Sequence, residues 1–126
     1  MVKVGDYATA MIMVTSKNTA KAVGSGSLDV FATPMMIALM EKAACECLAD
    51  SLEPSQTSVG TQVNVAHIAA STLGETITAT ATVTDVDGRK ITFTATANDG
   101  VKEIGSGTHE RVVIDVEKFM KRLEQA

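Results

Sequence analysis

Three patterns in this 126-residue sequence predict an α+β domain, a curved antiparallel sheet wrapped around one long central helix. The first is a helix-length segment, Met35 to Leu48, that is apolar over most of its circumference. The second is period-two alternation in the second half of the chain, clearest from Thr76 to Val86. The third is a pair of tight-turn signals, Asp87-Gly88 and Asp99-Gly100, between the alternating segments. A helix apolar on most sides needs a sheet curved around it to keep it from water.

Taken in order, Tyr7 to Thr15 alternates loosely through Met11 and Met13 and reads as a first strand. A polar connection follows, with Gly24-Ser25-Gly26-Ser27 as its most flexible point. The helix is expected from Pro34 to Leu52. Thr33 is placed as the cap before it, Pro34 at the first helical position and Pro54 just past the end. Thr61 to Ile68 reads as a short strand. From Thr76 to Val86, Ile77, Ala79, Ala81 and Val83 share one face, while the threonines between them form a solvated or subunit-facing surface. Lys90 to Asn98 and Val101 to Ile114 complete the sheet, and Val116 to Glu124 is a short charged helix. Residues 1–126 form a single domain, with no repeat and no linker long enough to divide them. This is a hotdog-like α+β arrangement. Its open sheet edge needs cover, for which a homodimer, or a higher oligomer built from one, is the natural solution.

Composition excludes several function classes. Hydrophobic residues make up 45% and charged residues 21%, as in a globular chain. With 3% aromatics, the core must come from aliphatic residues and seven methionines, and a base-stacking platform is ruled out. A net charge of −4 lacks the basic face of a nucleic-acid binder. Cys45 and Cys47 sit two apart on the helix and cannot bridge there, so they read as reduced, buried thiols. Two separated histidines and these cysteines lack zinc-ligand spacing, and no metal is expected. No phosphate-binding or dinucleotide glycine pattern is present. No signal peptide or membrane span is evident, so the expected location is the cytoplasm, without a membrane partner.

One residue breaks the helix pattern. By helical spacing, Glu41 falls among Pro34, Ile37, Ala38, Ala44, Cys45 and Leu48, away from the charged stripe of Lys42, Glu46 and Asp50. A carboxylate on an apolar face is costly unless it has a partner, a raised pKa or a task. Candidate bases are the two histidines. His67 shares a strand face with Val63 and Val65, and His109, in Gly107-Thr108-His109-Glu110-Arg111, reads as structural.

Several ordered segments resemble the hotdog thioesterases related to fluoroacetyl-CoA thioesterase. They are Phe31-Ala32-Thr33-Pro34-Met35-Met36 with Leu39-Met40-Glu41; Val59-Gly60-Thr61 with His67 and Ala69-Ala70; and the tail from Asp99 to Arg111. The resemblance covers most of the chain from Val30 onward. It implies a thioesterase that hydrolyses a short acyl-CoA to free acid and CoA, with Thr33, Glu41 and His67 as the site. It also implies Gly60 beside the thioester carbonyl, Arg111 at the entrance and acyl-side wall, and no cofactor beyond the CoA of the substrate.

Thr33 and Glu41 are eight residues apart, about 12 Å along a helix at 1.5 Å per residue. A direct contact within one helix is not expected, so either substrate lies between them or a second subunit supplies one of them. Free amides at the helix start could polarise the carbonyl. These residue types support two routes: attack by Glu41 or Thr33 to form an acyl-enzyme, or activation of water by His67 or Glu41. The chain departs from the family's namesake before the helix. That enzyme carries lid-like phenylalanines there, and this chain has Gly24 to Asp29 with Phe31 as the nearest aromatic. The departure removes the lid on which selectivity for a fluorinated acetyl group would rest, and a housekeeping or metabolic acyl-CoA is the expected substrate. The rival readings are a non-catalytic acyl-CoA or acyl-carrier binding module, and a hotdog hydratase, which would need an aspartate–histidine motif absent here.

Overall fold

A computed structural model describes residues 1–125. The elements are β1 (Tyr7–Met13), α1 (Ala20–Val23), α2 (Thr33–Ala49), β2 (Gln56–His67), β3 (Thr76–Asp87), β4 (Lys90–Asn98), β5 (Glu103–Asp115) and α3 (Val116–Glu124). The five strands form one antiparallel sheet in the order β1-β3-β4-β5-β2. It curls around α2, which packs most against β1 and β3. No described helix is long and apolar enough to cross a membrane.

The alternation sorts side chains as expected. Ile77, Ala79, Ala81 and Val83 of β3 and Ile91, Phe93, Ala95 and Ala97 of β4 are buried. Against them α2 sets Met36, Leu39, Met40, Ala43, Ala44 and Leu48. Small alanines on the central strands let the helix lie close, and methionine fills what remains. The threonines from Thr76 to Thr84 are half-buried or exposed on the outer face. Between β3 and β4, Gly88 takes φ +60° at the first position of a two-residue turn, a conformation that L side chains rarely adopt.

Three element ends and one extra helix depart most from the sequence reading. Helix α2 ends at Ala49, since Ser51 closes back on the Leu48 carbonyl in place of a further turn. A four-residue helix, α1, lies in the connection read as irregular. Thr19 caps it by accepting from the Ala22 amide, and Gly24 ends it at φ +78°. Strand β2 begins at Gln56, five residues earlier than its pattern, because the partner β5 supplies the ladder there. Strand β5 starts at Glu103, since Asp99 accepts from the Val101 and Lys102 amides and holds them in the turn.

The early part of β2 matters for the site. A bulge between Gly60 and Gln62 leaves Thr61 opposite no residue of β5. One extra residue inverts side-chain parity. Ser58 and Gly60 before the bulge, and Val63, Val65 and His67 after it, therefore all face the helix. Strand β2 is also a sheet edge, twelve residues long and exposed over most of its middle.

Candidate active site

Two pairs of polar side chains lie under the sheet, at different points along α2. The first joins Thr33, the first residue of α2, to His67, the last residue of β2: Oγ1 and Nδ1 are 2.7 Å apart. Thr33 was expected to be the helix cap. Ala32 occupies that position instead, with extended backbone and no side-chain bond, and the threonine hydroxyl goes to His67. Pro34 has no amide hydrogen, and the Met35 and Met36 amides both donate to the Ala32 carbonyl. Of the amides expected to polarise a carbonyl, only that of Thr33 is left for the purpose.

A cavity of about 250 Å³ opens at this pair, lined by Ala20, Ser25, Val30, Phe31, Thr33, His67 and the backbone run Ile68 to Ala70. Phe31, itself buried, is the one phenylalanine in this lining. The His67 Nε2 is buried and makes no hydrogen bond among the described residues. Burial lowers the His67 pKa from its ordinary 6.5, because a charged imidazole loses water there; a weak contact with the Ala69 backbone opposes the shift. The ring is thereby kept neutral and basic near pH 7.

The second pair is Glu41 and Arg111, with Nη1 to Oε2 at 3.1 Å. Glu41 is not sealed among apolar neighbours, as helical spacing suggested. Its side chain is 40% exposed, and Pro34, Ala38 and Cys45 along the same face are exposed too. The acid found a cation from the sheet. Arg111 is 6% exposed and pairs with Glu41, not with its sequence neighbours Glu110 or Glu103. Alternation along β5 explains this: His109, Arg111 and Val113 all point inward. That parity is visible in the sequence and could have placed Arg111 and His109 beneath the sheet.

Arg111 is held on several sides. Its Nε donates to Ser58 Oγ at 2.8 Å, its Nη2 to the Ser58 carbonyl at 3.0 Å, and its Nη1 approaches His109 Nε2 at 3.2 Å. Ser58 carried no signal in the sequence. Gly60 lies against the same group: a Cβ built on it would sit 2.5 Å from Glu41 Oε2 and 3.2 Å from both Arg111 Nη1 and His109 Cε1. Thr33 and His67 thus stand together, as do Glu41, Gly60 and Arg111. No hydrogen bond joins the two groups among the described residues. Cys45 is exposed and Cys47 half-buried, both free, which corrects the expectation that both are buried.

The curled sheet enclosing one helix defines the class, a hotdog-fold protein. A hot-dog-like protein from Thermanaerovibrio acidaminovorans superposes with a TM-score of 0.88 at 27% identity, covering 97% of this chain and 90% of that one. The family model for fluoroacetyl-CoA-specific thioesterase matches residues 14–117, and the chain belongs to this family of thioester hydrolases. It is 48% identical over 97 residues to the fluoroacetyl-CoA thioesterase of Streptantibioticus cattleyicolor, across 77% of this chain and 70% of that protein. A variant of a fluoroacetyl-CoA thioesterase, solved in complex with acetyl-CoA, superposes with a TM-score of 0.92 at 40% identity and 98% coverage of each chain.

Proposed function

We propose that the protein hydrolyses a short acyl-CoA thioester to free acid and CoA. The site would combine Thr33 and His67 of one subunit with Glu41, Gly60 and Arg111 of its partner. The observation that carries this reading is the 2.7 Å contact between the Thr33 hydroxyl and a His67 ring that burial keeps neutral. Hydrolysis takes one proton from the attacking hydroxyl or water and delivers one to the departing thiolate; a neutral imidazole on that hydroxyl can do both. The Thr33 amide at the positive end of α2 would meet the thioester carbonyl. Glu41, paired to Arg111, would face the acyl carbon from the other side, as nucleophile or as the group that orients water.

The two halves need a second subunit for a geometric reason. Gly60 and His67 lie seven residues apart on β2, about 23 Å at 3.3 Å per residue. A two-fold antiparallel pairing of β2 edges centred on Asn64, with the bulged Thr61 left unpaired, sets Gly60 opposite the partner's His67. The same pairing covers the exposed edge. Light scattering is expected to give at least twice the 13.2 kDa chain mass. A fully active monomer would refute the shared site.

An acyl-CoA panel read by thiol release tests the function itself. Acetyl-CoA and its short homologues are the expected substrates. Fluoroacetyl-CoA should gain no more than its intrinsic reactivity provides, because the one phenylalanine in the cavity lining, Phe31, is packed in the core beside Val30 and Ser25. Absence of turnover across short, medium and aromatic acyl groups would leave the acyl-CoA binding module as the better reading. The pH profile supplies a second check. The active form is neutral His67, so kcat/KM should be flat near pH 7 and fall as pH drops. The midpoint should lie below 6.5, in the direction that burial shifts the ring. A midpoint above 6.5 would mean that another group governs the acid limb.

A further inference from the structure

We propose that His109 is a positioning residue: its Nε2 lone pair fixes the Arg111 Nη1 that holds Glu41. This rests on the role proposed above for Glu41 and Arg111 at the thioester. His109 lies 2% exposed on β5, its ring stacked at 6.1 Å on Phe93, and it does not reach the Thr33 cavity. A filler of that shape could be a phenylalanine. What distinguishes it is that both ring nitrogens are engaged, Nδ1 with the Gln62 carbonyl at 2.8 Å and Nε2 with Arg111 Nη1 at 3.2 Å.

Those partners settle the tautomer. A carbonyl only accepts, so Nδ1 carries the proton; a guanidinium only donates, so Nε2 is the acceptor. His109 Nε2 and Glu41 Oε2 are 4.0 Å apart, but this is no ion pair, since the Nε2 lone pair is directed to Arg111. The result is a continuous relay of hydrogen bonds. The Gln62 carbonyl, beside the β2 bulge, orients the imidazole; the imidazole orients Nη1; and Nη1 presents its other hydrogen to Glu41 at 3.1 Å. Ser58 holds the rest of the guanidinium from the same strand. Position along β2, and with it Gly60, is thereby coupled to the placement of the carboxylate.

Two substitutions separate positioning from filling. In His109→Asn the amide overlies Nδ1, keeps the bond to Gln62 and loses the acceptor for Arg111. In His109→Gln the amide overlies Nε2 and keeps that acceptor. Positioning predicts that His109→Asn lowers kcat by more than about tenfold with KM nearly unchanged, while His109→Gln stays within about threefold of wild type. A purely structural role predicts the reverse order. In an Arg111→Ala background, His109→Asn should have no further effect, because the residue acts through the arginine.

Long-range proton–nitrogen NMR of the wild-type ring at neutral pH should find the proton on Nδ1, a readout independent of activity and of whether the variants fold. A proton on Nε2, a wild-type rate for His109→Asn, or a full additional loss in the Arg111→Ala background would each overturn the proposal. If Arg111→Ala itself leaves hydrolysis intact, the proposed site fails, and the catalytic role of His109 fails with it. Impaired Arg111→Ala beside unaffected His109→Asn would remove His109 alone.

Discussion

Replacing His67 by alanine is expected to lower kcat/KM for acyl-CoA hydrolysis by about 10²–10⁴-fold, the range for loss of a positioned general base. The substitution removes the 2.7 Å partner of the Thr33 hydroxyl and the ring that burial keeps in its basic form. Little stability should be lost with it. His67 sits at the end of an edge strand, makes one side-chain hydrogen bond, and is only half-buried. Thiol-release rates measured beside a thermal melt separate the two quantities. If the rate changes less than threefold while the melt is unaltered, another group is the base. Thr33→Ser keeps a hydroxyl at the same place and should be much milder than Thr33→Ala, since the Ala32 position, not Thr33, caps the helix.

Gly60→Ala is the second large effect, and its logic is steric. The added methyl would lie 2.5 Å from Glu41 Oε2, closer than two such atoms can stay. The carboxylate is the far end of a flexible side chain that is 40% exposed, so it can swing toward solvent at small cost. Arg111 Nη1 and His109 Cε1, at 3.2 Å, need give only a few tenths of an ångström. The stability change should therefore fall near the lower end of the ~1–3 kcal/mol typical of added core methylenes. Activity should suffer far more, by about 10²-fold, because a shift of an ångström in a catalytic group has that effect. Measured kcat/KM and melting temperature check both halves. A wild-type rate would show that the Glu41 carboxylate need not occupy its observed place.

Much of the fold was legible because burial is periodic. The alternation from Thr76 to Val83 recorded which side chains meet the helix, and the run from Met35 to Leu48 recorded the helix itself. The early half of β2 was not legible. Gln56, Ser58 and Gly60 give no strand pattern by themselves, and pairing with β5 extends the strand through them. Thr33 as a cap was a reasonable local reading, overridden by a histidine 34 residues away.

Site residues were readable unequally for the same reason. Glu41 stood out as an acid on an apolar helix face, and Thr33 and His67 carried the family's spacing. Arg111 was singled out by the resemblance, but its pairing with Glu41 was not readable, since cross-sheet proximity leaves no mark on local order. Ser58 left no mark at all.

The sequence by itself determined the class of fold and the helix and strands that build it, and its resemblance to a thioesterase family marked Thr33, Glu41 and His67. The elements follow from periodicity and side-chain chemistry, which are local properties. Only the tertiary structure decided that Thr33 joins His67, that Glu41 joins Arg111, and that the two pairs are held apart. A single inserted residue in β2 inverts side-chain parity and turns Ser58, Gly60 and His67 toward the same helix. Which side chains meet there depends on register across strands, a quantity fixed by pairing and packing.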